Sequence, residues 1–114
     1  MNFEKLDVWK RAARLSVELY RQLRNLEDWG FRDQITRAGL SIPSNIAEGM
    51  SREGSRERVR FLLIAKGSCA ELRTQLYIGQ EVGFVPKMFA RASIRETQEI
   101  AAMLSSLIRV IRQD

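Results

Sequence analysis

Between Asp33 and Gly49 the chain carries two stripes at helical spacing, and these constrain the fold more than any other feature. Phe31, Ile35, Ala38, Ile42 and Ile46 recur at intervals of four, three, four and four, which places them on one apolar face of an α-helix. Gln34, Arg37, Ser41, Asn45 and Glu48 recur at three, four, four and three, and this second face is made wholly of hydrogen-bonding groups. A solvated face usually mixes Lys, Glu and Ala. Amides, a hydroxyl, a guanidinium and a carboxylate in one line can instead pair with one another or with a neighbouring helix. Pro43 falls inside the pattern, where it removes a donor and crowds the carbonyl of Gly39. The apolar phase is unbroken from Ile35 to Ile46, so the expectation is a single helix kinked at Pro43. Asp28 is its candidate N-cap and Gly49 its C′ glycine.

Three more helices flank this one. From about Leu6 to Leu26, the residues Leu6, Trp9, Ala13, Tyr20 and Leu23, joined by Ala12, Leu19 and Leu26, share one broad side of a first helix. Trp9 and Tyr20 therefore read as core, and Lys10, Arg14, Arg21 and Arg24 occupy a separate strip. The third helix, about Ser55 to Val82, is apolar on two faces. Phe61, Leu62, Ala65, Cys69, Leu72 and Leu76 line one, and Val59, Leu63, Ala70 and Tyr77 line the other. A helix apolar on two sides is buried on two sides. With so few helices to cover it, the second side predicts an oligomer. Beyond a turn at Gly83-Phe84-Val85-Pro86, the residues Ser93, Thr97, Ile100, Leu104, Leu107 and Ile111 form a heptad seam on the last helix.

Short connections between four helices predict an all-α, antiparallel up-down bundle in one domain spanning residues 1–114. Glu71 then lies at the height of Arg37 and Gln34. The polar stripe reads as a structural network that also takes in Lys66, Ser68 and Glu71 from the third helix.

Composition narrows the function. There is no histidine among the 114 residues, which removes Ser-His and Cys-His nucleophile pairs and the Glu-x-x-His ligands of di-iron bundles. The single cysteine, Cys69, cannot form an internal disulfide. No Gly-rich phosphate loop occurs. Glu48 and Glu71 could form a carboxylate pair of the kind an enzyme uses, yet the same residues explain themselves as network partners. No catalytic residue, metal ligand or cofactor is assigned. No stretch approaches the ~20 apolar residues of a membrane span, and Glu4, Lys5 and Asp7 leave no signal-peptide core, so the expectation is a cytoplasmic protein without a membrane partner.

The net charge is +5, and the excess is arginine, fifteen against four lysines. The planar guanidinium fork suits phosphate. Besides the strip on the first helix, Arg52, Arg56, Arg58 and Arg60 form a second basic cluster, diluted by Glu53 and Glu57.

The run Gln34-Ile35-Thr36-Arg37-Ala38 followed by Ser41-Ile42-Pro43-Ser44-Asn45-Ile46-Ala47-Glu48-Gly49 resembles the signature of the S23 ribosomal proteins, also called intervening-sequence proteins of large-subunit ribosomal RNA genes. Phe61-Leu62-Leu63-Ile64-Ala65-Lys66-Gly67-Ser68-Cys69-Ala70-Glu71-Leu72 resembles the second signature, and Leu6, Val8, Trp9, Ala12 and Gly83-Phe84 match as well. Gly39 departs from the alanine expected there. The resemblance implies an antiparallel four-helix bundle that assembles as a ring-like homopentamer. It also implies similarity to the basic, pentameric, nucleic-acid-binding accessory variability proteins of diversity-generating retroelements. The family assigns no catalytic residues.

The resulting expectation is a non-enzymatic oligomer that binds RNA or DNA through phosphate contacts from Lys10, Arg14, Arg21 and Arg24, with Arg52, Arg56, Arg58 and Arg60. With Trp9 and Tyr20 in the core, no aromatic platform for bases is expected, and binding is sequence-tolerant. The alternative is a protein-interaction scaffold.

Overall fold

The computed structural model describes residues 2–113. It contains four α-helices: α1 (Asp7–Gln22), α2 (Trp29–Met50), α3 (Ser55–Glu81) and α4 (Lys87–Gln113). A 3-10 turn at Phe3–Lys5 precedes them, and no strand occurs among the described residues. Consecutive helices pack side by side, and α1 also meets α4, giving a helical bundle of about 45 × 20 × 19 Å. On the α2–α3 seam Gly49 abuts Phe61, Ser41 meets Ser68, and Phe31 reaches Gly79. Residue numbers rise along α2 as they fall along α3, so the two helices are antiparallel. The connection from α1 to α2 and that from α3 to α4 therefore lie at one end, where Phe31 and Phe84 stack edge to face with centroids 5.3 Å apart.

The central apolar stripe behaves as its spacing predicts. Ile35, Ile42 and Ile46 are fully buried, and Leu62, Leu72, Leu76, Ile100 and Leu104 close over them. Each such side chain contributes on the order of 1.5–3 kcal/mol by leaving water. Asp28 is the N-cap of α2, accepting a hydrogen bond from the Phe31 N–H at 3.0 Å. Pro43 is buried inside α2, which continues to Met50. The seam on α4 faces the core throughout, with Leu107 half-buried.

Two expectations are corrected. First, α1 ends at Gln22 rather than Leu26, and its buried line is Val8, Ala12, Leu15, Leu19 and Leu23. These aliphatic residues recur at four, three, four and four and form one continuous stripe. The helix is accordingly turned from the expected orientation, leaving Trp9 half-buried and Tyr20 49% exposed. Second, Gly49 is not a C′ glycine. It lies buried within α2, where a Cβ would stand 3.1 Å from the Arg58 carbonyl oxygen, so it permits the close crossing of α2 and α3. The left-handed glycine is Gly83, with φ +82°, beyond the end of α3, and the Phe84 and Val85 N–H groups both donate to the Gly79 carbonyl. Gly39, the departure from the S23-like pattern, faces α1. A Cβ there would collide with the side chain of Leu19, so the glycine admits a larger neighbour on α1.

The two apolar faces of α3 meet different fates. Leu62, Ala65, Cys69, Leu72 and Leu76 are buried, with Phe61 half-buried. Of the second set, Val59 turns inward, whereas Leu63, Ala70 and Tyr77 are exposed. Ile64 and Ile78 extend this uncovered apolar ridge along the outside of α3. No helix among the described residues is long and apolar enough to cross a membrane.

Candidate nucleic-acid interface

Amphipathic α1 buries its aliphatic line and so presents its basic strip outward: Lys10, Arg14, Arg21 and Arg24 are all exposed. Arg24 stands in the turn that follows α1. Arg21 donates to Glu18 at 3.2 Å, an exposed pair of little energetic consequence. Lys10, Arg14 and Arg24 have no carboxylate within ion-pair distance among the described residues. At 1.5 Å per residue the strip is about 20 Å long, enough to follow several phosphates.

The second basic cluster is built differently and lies at the other end of α2. Arg52 pairs with Glu48 at 3.0 Å, and Arg60 pairs with Glu57 at 2.9 Å. That contact, mainly the hydrogen bond from Arg60, lowers the pKa of Glu57 from its ordinary carboxylate value. The guanidinium groups of Arg52 and Arg60 both lie over the Phe61 ring, 5.0 and 4.5 Å from its centroid. Arg58 spends its Nε on the Arg52 carbonyl at 2.6 Å, tying down the turn before α3. Only Arg56 of these four has neither an ion pair nor a hydrogen bond from its side chain among the described residues. The strip and the cluster are thus two separate groups, and in the second two of the four arginines are paired with carboxylates.

The polar stripe of α2 also divides. Ser41 Oγ and Ser68 Oγ are 2.8 Å apart, and Asn45 Nδ2 donates to both the Ser41 carbonyl and Ser41 Oγ, at 2.8 and 2.9 Å. The remaining members of the expected network do not join it. Arg37 turns back to Asp33 on its own helix at 3.0 Å, Glu48 is taken by Arg52, and Gln34 and Glu71 are exposed. Lys66 is half-buried and makes no side-chain hydrogen bond among the described residues. Ser41 and Asn45 are half-buried, with Ser41 against Ser68 of α3, whereas Gln34, Arg37 and Glu48 of the same stripe are exposed to solvent.

Several polar residues outside the expected set matter more. Arg11 donates its Nε to Glu96 at 2.9 Å and its Nη2 to Glu99 at 2.7 Å, clamping α1 to α4. These contacts, Glu96 first, raise the Arg11 pKa further above its ordinary value, so the guanidinium is a fixed cation. At the α1–α2 end, Tyr20, Arg21, Arg24, Trp29, Gly30, Arg32, Asp33 and Thr36 line an open cleft of about 760 Å³. Trp29, the first residue of α2, is 73% exposed, and the Arg32 guanidinium lies 5.2 Å from its ring centroid. Arg32 also donates to the Arg24 carbonyl at 2.9 Å. The signal available in the sequence was that Trp29 stands outside the apolar phase of α2, directly after the capping aspartate.

Comparison with known proteins agrees with the motifs and the fold. Residues 4–106 match the model of a family described as 23S rRNA-intervening sequence protein. The crystal structure of a protein of unknown function from the S23 ribosomal protein family of Bacteroides thetaiotaomicron aligns with a TM-score of 0.82 at 22% sequence identity, over 89% of this chain and 97% of that one. At that identity the likeness is one of fold. No curated protein matches the chain. With the family model covering nearly the whole chain and the helical bundle shared, the protein belongs to the 23S rRNA-intervening sequence protein family.

Proposed function

We propose that the protein is a non-enzymatic, cytoplasmic, basic oligomer that binds nucleic acid, RNA foremost, by sequence-tolerant phosphate contacts. The observation that carries this reading is the exposed strip Lys10, Arg14, Arg21 and Arg24, of which three cations are free of carboxylates among the described residues. A guanidinium or ammonium group held out from a rigid helix is placed to displace counterions from a phosphate backbone. The family's description, which refers to ribosomal RNA intervening sequences, is consistent with an RNA context.

Assembly belongs to the same reading. The apolar ridge of Leu63, Ala70 and Tyr77 on α3 is the seat of contact between copies, and the resemblance to S23 proteins makes the assembly a ring-like homopentamer. A ring repeats the α1 strip with the symmetry of the oligomer, so contacts that are weak singly add through avidity. Within each copy α2 bends at Pro43, where the Gly39 carbonyl lacks its helical donor.

A filter-binding titration of a ribosomal RNA fragment against salt tests the reading. Wild-type affinity should fall steeply as salt rises, and Arg14→Glu with Arg21→Glu should reduce both the affinity and the salt slope. Absence of binding at low salt refutes it. The exposed ridge on α3 also favours a second reading, a scaffold for another protein. Capture of one defined protein partner, unaffected by those charge reversals, would support that instead.

A further inference from the structure

The geometry points to a single-strand docking site in the cleft between the end of α1 and the start of α2, where an unpaired nucleobase stacks on Trp29 while Arg21, Arg24 and Arg32 hold its phosphates. The inference rests on the nucleic-acid reading above and adds to it what the strip alone lacks, a surface for bases.

Four observations converge on this cleft. Trp29 is 73% exposed although it carries a large aromatic ring, and no element of the bundle covers it. Tyr20 on the facing wall is 49% exposed, so the cleft has an aromatic side chain on each helix. Three arginines line the cleft against one aspartate, and that aspartate is already engaged by Arg37. Arg21 and Arg24 are also the last two members of the α1 strip, so a backbone following Lys10 and Arg14 is delivered to the cleft.

The arrangement matches the chemistry of a nucleotide rather than that of an acidic peptide. An acidic side chain needs only the cations, whereas a base with its phosphate uses an aromatic face and guanidinium donors together. Arg32 is anchored by its bond to the Arg24 carbonyl and lies over Trp29, which fixes both groups before any ligand arrives. Gly30 leaves this part of the wall without a side chain: a Cβ there would meet nothing closer than 3.9 Å. Duplexes cannot present a base face without unstacking, so the site discriminates strandedness and not sequence.

The test uses intrinsic fluorescence. Trp9 packs edge to face on Phe3, so Trp9→Phe preserves an aromatic ring there and leaves Trp29 as the only tryptophan. A short oligoadenylate should quench Trp29 in this variant. Trp29→Ala in the otherwise unchanged protein should weaken binding of that oligomer about tenfold, while binding of a duplex of equal length changes less than about twofold. Trp29 is exposed, so the variant should keep the wild-type circular dichroism spectrum. Unchanged single-strand affinity in Trp29→Ala, or binding without quenching, overturns the site and leaves the nucleic-acid reading intact. Failure of the wild type to bind either strand form at low salt overturns both. Quenching by adenosine monophosphate at the concentration effective for the oligomer would make the ligand a free nucleotide and overturn the assignment to a strand.

Discussion

Ser41 and Ser68 meet hydroxyl to hydroxyl, 2.8 Å apart, across the seam of α2 and α3. Each side chain sits close to a fully buried aliphatic row, and Asn45 completes the group by donating to Ser41. A pair of hydroxyls satisfying each other in this position fixes the axial register of the two helices, because a slip of one residue breaks the bond and leaves polar groups in an apolar seam.

Asn45→Ala should therefore lower stability by about 1–2 kcal/mol, measured by urea unfolding. Glu48→Ala, which removes only an exposed pair with Arg52, should change stability by less than about 0.5 kcal/mol. Neither should alter nucleic-acid affinity in the folded protein. A larger loss for Glu48→Ala than for Asn45→Ala would contradict the division of the polar stripe.

The clamp between Arg11 and Glu96 should show real coupling, since both side chains are less than a third exposed, at 29% and 27%, and the geometry is bidentate. A double-mutant cycle with Arg11→Met and Glu96→Gln should give a coupling energy of about 1–2 kcal/mol. The same cycle on Arg37 and Asp33, which are 77% and 62% exposed, should give about 0.5 kcal/mol or less.

Burial, opposed in part by Arg73 and Lys66, pushes the Cys69 thiol up to about 11. The raised value means that the folded state holds the thiol proton more tightly than the unfolded chain does. The associated stability is fully present below the ordinary thiol range and is lost as pH rises toward about 11. Cys69 should resist iodoacetamide at pH 8 in the folded protein and react promptly in denaturant. Cys69→Ala should flatten the alkaline end of the stability profile.

Replacing Leu63 and Tyr77 together by lysine should reduce the mass measured by sedimentation from that of an oligomer to that of a single chain. Both residues are exposed on the ridge of α3, at 45% and 56%, so the helical signal should be unchanged. An unaltered mass would move the contact between copies away from α3.

The helices were legible because their signals are local. The capping aspartate at 28, the apolar phase through Ile35, Ile42 and Ile46, and the seam on α4 depend on backbone hydrogen bonding and a period of 3.6 residues, which each segment carries by itself. The family motifs were legible for the same reason. The rotation of each helix about its own axis was not. Leu15 and Tyr20 both lie within reach of the buried side of α1, and the shape of α2 and Gly39 opposite Leu19 decided that the aliphatic row goes in and the tyrosine out. Arginine partners were equally hidden. A long guanidinium side chain reaches many neighbours, so the pairing of Arg11 with Glu96, or of Arg52 with Glu48, follows from where other helices deliver carboxylates. The cleft at Trp29 exists only once two helix ends meet. Periodicity thus determined the four helices and the apolar stripes of α2 and α4, while packing determined the rotation of α1 and which aromatic rings and which cations stay exposed.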